Sequence, residues 1–150
     1  MTITRRHVLM LSAAAAAGFA GVRAMPARAS SEDAMARVKE FAGGAEPQSG
    51  TVTLTAPEIA ENGNTVPISV EVDSPMTADS YVESVIILAV GNPNPGVATF
   101  HFSPMSGVAA ATTRMRLAKT QQVIAAAKMN DGSVYVDRKE VKVTIGGCGG

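Results

Sequence analysis

The sequence predicts an all-β chain: an immunoglobulin-like antiparallel β-sandwich with a short N-terminal helix and a flexible C-terminal Gly-Gly-Cys-Gly-Gly arm. Three observations carry this. After Pro47 the apolar residues recur with period two, turn residues interrupt them at short intervals, and one segment, 81–90, is apolar on both faces. Seven or eight short strands so punctuated suit two packed antiparallel sheets. The Cys-Trp-Cys core of antibody domains is absent, so only the general architecture follows.

The helix is expected over about 32–42. Ser31 stands as a cap, Glu32 and Asp33 fall in the first turn, Met35, Val38 and Phe41 share a face, and Gly43-Gly44 stops it. Val52 and Leu54 alternate with threonines in a first strand. Val66, Ile68, Val70 and Val72 alternate with Thr65, Pro67, Ser69 and Glu71 in a second. Tyr81 to Val90 follows as a central strand, then a short strand from Thr99 to Ser103. Thr113, Met115 and Leu117 alternate with Arg114 and Arg116. Gln121 to Met129 has helical propensity, but the β context on both sides favours a strand with a small-residue face. Asn130-Asp131-Gly132-Ser133 makes a tight turn into Val134-Tyr135-Val136, and Val141, Val143 and Ile145 form the last strand.

Residues 1–29 read as an export signal. Arg5-Arg6 precedes an apolar, alanine-rich run from Val8 to Val22, and Ala27-Arg28-Ala29 supplies a small-residue cleavage site. At about fifteen residues the run is short of the roughly twenty that span a bilayer. A general-secretion signal is the competing reading, but the order Thr4-Arg5-Arg6-His7-Val8-Leu9 favours the twin-arginine type. Either route leads to the periplasm. The division is then signal 1–29, sandwich domain 30–145 and arm 146–150.

Four of the 13 basic residues (Arg5, Arg6, Arg23, Arg28) lie in the signal, leaving nine against 13 acidic ones. A mildly acidic chain is a poor match for nucleic acid or an anionic membrane. About 121 residues remain, enough for one core.

The remaining chemistry narrows to one residue. His101 is the one histidine beyond the signal, set between Phe100 and Phe102, and reads as an ordinary strand residue. No zinc, redox, phosphate-loop or nucleophile-elbow spacing occurs. Met35, Met76, Met105, Met115 and Met129 are far apart and suit packing better than copper, so neither metal nor cofactor is expected. Cys148 is the single cysteine, flanked by Gly146, Gly147, Gly149 and Gly150. No internal disulfide is open to it, and no neighbouring base or cation lowers its pKa. Five extended residues reach at most roughly 17 Å, at about 3.3–3.6 Å each. The pattern favours covalent attachment of a cargo over two alternatives, an intersubunit disulfide and a fortuitous free thiol.

Several stretches together resemble the SoxY family of sulfur carriers. They are Val143 to Gly150, Glu61-Asn62-Gly63-Asn64-Thr65-Val66-Pro67, Asp73-Ser74-Pro75-Met76-Thr77 and Val97-Ala98-Thr99-Phe100-His101-Phe102, with the twin-arginine leader. The resemblance implies an immunoglobulin-like fold, a heterodimer with a SoxZ-like subunit, and no catalysis by this chain. Thiosulfate would be joined to Cys148 by a SoxAX-like c-type cytochrome, and sulfate released by a SoxB-like hydrolase. A molybdenum–haem sulfane dehydrogenase, where present, would oxidise the remaining sulfur. Cys148 would be the covalent attachment site and the four glycines the flexible arm. An exposed strand edge and the apolar β-face around Val85 and Ile87 both stand as candidate partner surfaces, because one sequence does not separate interface from core.

Overall fold

The computed structural model describes residues 31–147. Helix α1, Ser31–Ala42, begins with Glu32 and Asp33 in its first turn. It ends where Gly43, at φ +60°, turns its N–H back onto Lys39 O and Glu40 O, both at 3.1 Å. Glycine takes this left-handed cap without Cβ strain. Val38 is buried, with Met35 and Phe41 half-buried beside it, so the expected apolar stripe is a packing face.

Eight strands follow in two layers. β1 (Val52–Thr55), β3 (Val66–Val72) and β6 (Ala109–Met115) form a three-stranded sheet in the order β1-β3-β6. β2 (Ile59–Asn62), β4 (Val82–Ala89), β5 (Gly96–His101), β7 (Gln121–Met129) and β8 (Val134–Ile145) form a five-stranded sheet, ordered β2-β8-β7-β4-β5. The sandwich read from the alternation is therefore the one observed. Val66, Ile68, Val70 and Val72 of β3 point inward, while Pro67 and Glu71 are exposed. Pro67 lies in the middle strand, yet β1 pairs only with Ser69 to Val72, so its missing N–H costs no β1 bond.

The five-stranded sheet is covered on both faces. Val85, Ile87, Val123 and Ala125 enter the core between the sheets. Leu88, Ile124 and Ala126 pack outward under Val38 of α1. Of the small residues of β7, Ala126 faces α1, while Ala125 and Ala127 face the inter-sheet core. Val85 and Ile87 are thus buried between layers, and the expectation of a partner surface there is corrected. Segment 121–129 is strand, as the context argued.

Strand boundaries differ from the sequence reading in several places: β5 runs Gly96–His101, starting three residues before the expected Thr99 and stopping short of Ser103. β2 had no visible alternation, since only Ala60 of its four residues is buried. It is held by its backbone, parallel to β8, with Ile59, Ala60 and Asn62 opposite Lys142, Val143 and Ile145. That makes the larger sheet mixed, not wholly antiparallel. β8 is one twelve-residue strand, because the charged run Asp137 to Glu140 continues the pairing with β7, opposite Ala125, Ile124, Val123 and Gln122 in turn. β6 ends at Met115, so Leu117 belongs to the following loop, although its side chain is fully buried in the core. Among the described residues no helix is long and apolar enough to cross a membrane.

Candidate functional site

β8 delivers the chain to Ile145 at the end of the sandwich where three other segments meet. These are the end of β2 at Asn62-Gly63, the 116–120 loop, and the loop after β4 at Gly91-Asn92. The backbone binds them in sequence. Gly63 N–H donates to Ile145 O at 2.7 Å, Leu117 N–H donates to Gly63 O at 2.7 Å, and Gly147 N–H donates to Leu117 O at 2.9 Å. On the outer side Thr144 Oγ1 donates to Glu61 O at 2.8 Å, and Val143 N–H donates to Thr120 Oγ1 at 2.9 Å.

The loop itself is pinned from two directions. The Leu117 side chain is sunk in the core. Behind it lie two buried amides, Asn92 and Gln121, at 3% and 7% exposure. Asn92 Nδ2 donates to Arg116 O at 2.8 Å, while Asn92 Oδ1 accepts from Ala118 N–H at 3.0 Å and Gln121 Nε2 at 2.8 Å. Gln121 Nε2 also donates to Lys119 O at 3.1 Å, and Gln121 Oε1 accepts from Gly91 N–H at 2.6 Å. No buried side-chain nitrogen or oxygen among the described residues is left without a partner. A fully satisfied network of this kind rigidifies what it holds.

The expected tail residues divide sharply. Gly147 is buried, and Gly146 lies against Ala118. A Cβ on Gly146 would overlap Ala118 O, and one on Gly147 would stand 2.7 Å from Gly63 O. Close backbone approach places both residues against the body, Gly147 buried and Gly146 itself exposed. Cys148, Gly149 and Gly150 lie outside the described residues, as do residues 1–30 with the expected signal. Gly63, Leu117, Asn92 and Gln121 were missed as site residues. Asn62-Gly63-Asn64 was visible as a motif, but nothing local pairs it with Gly147, 84 positions away.

Little else in the body offers chemistry. His101 is exposed on edge strand β5. Among the described residues no group of three or more His, Cys, Asp or Glu side chains could hold a metal ion. A groove of about 510 Å³ lies between α1 and β4–β5, lined by Arg37, Glu40, Phe41, Leu88 and Val97, at the sheet edge opposite β2. Asp131, in the β7–β8 turn, is the one described group with a distinct pKa displacement. The Ser133 hydroxyl, then its N–H, hold the carboxyl below the usual carboxylate range.

Fold and site together define a two-layer β-sandwich whose last strand ends in a backbone-seated glycine pair, immediately ahead of a solitary cysteine. A family model described as sulfur oxidation protein SoxY matches residues 38–148, and the chain belongs to that family. It is similar to the solved sulfur carrier protein SoxY from Chlorobium limicola f thiosulfatophilum. That match has 31% identity and a TM-score of 0.65, over 77% of this chain and all of that one. A superoxide reductase (neelaredoxin) from Ignicoccus hospitalis shares the fold at 24% identity and a TM-score of 0.56, over 63% of this chain and 80% of its own. No curated protein sequence matches the chain.

Proposed function

We infer that this chain is a covalent carrier of sulfur intermediates, and more specifically that it serves thiosulfate oxidation in the periplasm. Family membership over residues 38–148 carries the reading. The likeness to a solved sulfur carrier supports it. Cys148 is the attachment point. Its thiol sulfur and the outer sulfur of thiosulfate form an S–S bond, the thiol proton goes to solvent, and two electrons pass to a SoxAX-like c-type cytochrome. Water then attacks the terminal sulfone at a SoxB-like hydrolase. Sulfate leaves, two protons are released, and the sulfane sulfur stays on Cys148 as a persulfide. A sulfane dehydrogenase and a further hydrolysis would regenerate the thiol.

The body pairs with a SoxZ-like subunit, and the twin-arginine signal exports the pair. A carrier must leave each enzyme, so docking is weak and transient, with the tail supplying the specific contact.

Intact-mass measurement of the chain, incubated with thiosulfate and its partner enzymes, tests this. Thiosulfonate and persulfide adducts on Cys148 are expected, with none on Cys148→Ser and no sulfate released by it. Sulfate release retained by Cys148→Ser would overturn the carrier reading. So would a disulfide-linked dimer as the sole modified species, which instead fits a structural staple.

A further inference from the structure

Gly63 contributes no side chain, yet three backbone segments converge on it. Its N–H bonds Ile145, its carbonyl bonds Leu117, and Leu117 in turn bonds Gly147. A Cβ on Gly63 would overlap Leu117 O and stand 2.7 Å from Gly147 N. A Cβ on Gly147 would stand 2.7 Å from Gly63 O and 2.9 Å from its carbonyl carbon. The seat exists because both residues lack side chains. Asn92 and Gln121 keep the 116–119 loop from retreating.

The geometry points to Gly63 as the positioning residue of the carrier tail, setting how far the attachment cysteine reaches. This rests on the reading of Cys148 as the attachment point. With the seat closed, the residue after Gly147 starts one peptide unit, about 3.8 Å, from an anchored atom. With it open, the root retreats to Ile145 and two more residues extend the tail, adding roughly 7 Å. One hydrogen bond, Gly147 to Leu117, holds the last described residue, and local opening of this kind costs far less than unfolding. The closed seat keeps the cargo beside the body, and the open seat lets it enter a deep enzyme cleft.

Cys148 alkylation in the full chain tests the seat without sulfur chemistry. Iodoacetamide serves as the small probe and a polymer-linked maleimide as the large one. Gly63→Ala should raise the large-probe rate about fivefold while moving the small-probe rate less than about twofold, with a matching loss of hydrogen-exchange protection at the Gly147 amide. Gly147→Ala breaks the same contact from the tail side and keeps the test open should Gly63→Ala fail to fold. The double variant should add nothing to either single change. Gly132→Ala is the control: at φ +86° with nothing within 4 Å, it destabilises the fold but should leave both rates unchanged. The seat is overturned if Gly63→Ala and Gly147→Ala leave the large-probe rate unchanged, or if Gly132→Ala raises it equally. Adduct formation is measured separately. Wild-type chain that opens on cue but never accepts sulfur sinks the carrier reading alone, and normal loading with an unaltered probe ratio sinks the seat alone.

Discussion

The α1 layer and the tail root are both attached to the five-stranded sheet, but by opposite means. Under α1, Val38, Leu88, Ile124 and Ala126 exclude water with side chains, and the attachment scales with apolar area. At the tail root nothing from Gly146 or Gly147 contributes such area. Gly147 is held by one backbone hydrogen bond to Leu117, which is bonded in turn to Gly63, and the close approach of both tail residues depends on the absence of three Cβ atoms, at Gly63, Gly146 and Gly147. A side-chain layer weakens by degrees as methyl groups are removed. A backbone seat works only while nothing is added. The first suits a permanent scaffold and the second a segment that must be released.

Leu117→Ala strikes both regions at once, since its side chain is in the core and its backbone is in the seat. A loss of about 3–5 kcal/mol is expected in denaturant unfolding, with faster large-probe alkylation of Cys148. Ile124→Ala isolates the helix layer. It should cost about 2–4 kcal/mol, the underside of α1 settling partly into the cavity, and leave Cys148 alkylation unchanged. A change in alkylation with Ile124→Ala would dissolve the distinction between the regions.

Gln121→Ala sharpens the comparison from the polar side. It orphans the Gly91 N–H and takes one donor from Asn92 Oδ1, which should cost about 1–3 kcal/mol. Because the 116–119 loop then loses a support, protection of the Gly147 amide should fall by more than the global midpoint requires. Equal losses would make the network merely structural.

The smallest effect belongs to the β7–β8 turn, remote from both. Asp131 has its folded pKa lowered, chiefly by the Ser133 hydroxyl, so its contribution is present above the unfolded carboxylate value and lost as pH falls through the folded one. The urea midpoint of Asp131→Asn should therefore lie slightly below that of wild type at neutral pH and converge with it in acid. A gap that widens in acid would reverse the assigned sign.

Much of this was legible residue by residue. Val66 to Val72 declares its face by alternation, and 81–90 declares its two-sided burial. Asn130 to Ser133 declares a turn, which Ser133 closes by donating its N–H to Asp131 at 2.8 Å. β2 was silent because a four-residue edge strand with one buried side chain has no period to show. Asp137 to Glu140 hid the middle of β8 because charge reads as loop, although Asp137 accepts the Leu54 N–H at 2.8 Å across the layers.

The cysteine and its glycines stand out with no structure at all, since composition alone makes Cys148 singular and its neighbours small. The sequence by itself therefore determined the sandwich, the helix and the residue on which the proposed chemistry rests. Only the tertiary structure decided that Gly146 and Gly147 are seated, and that Gly63 is their complement. Alternation and solitary residues are local properties, written within a few positions. A slot formed by missing Cβ atoms on segments 84 residues apart exists only once the sheets have brought those backbones together.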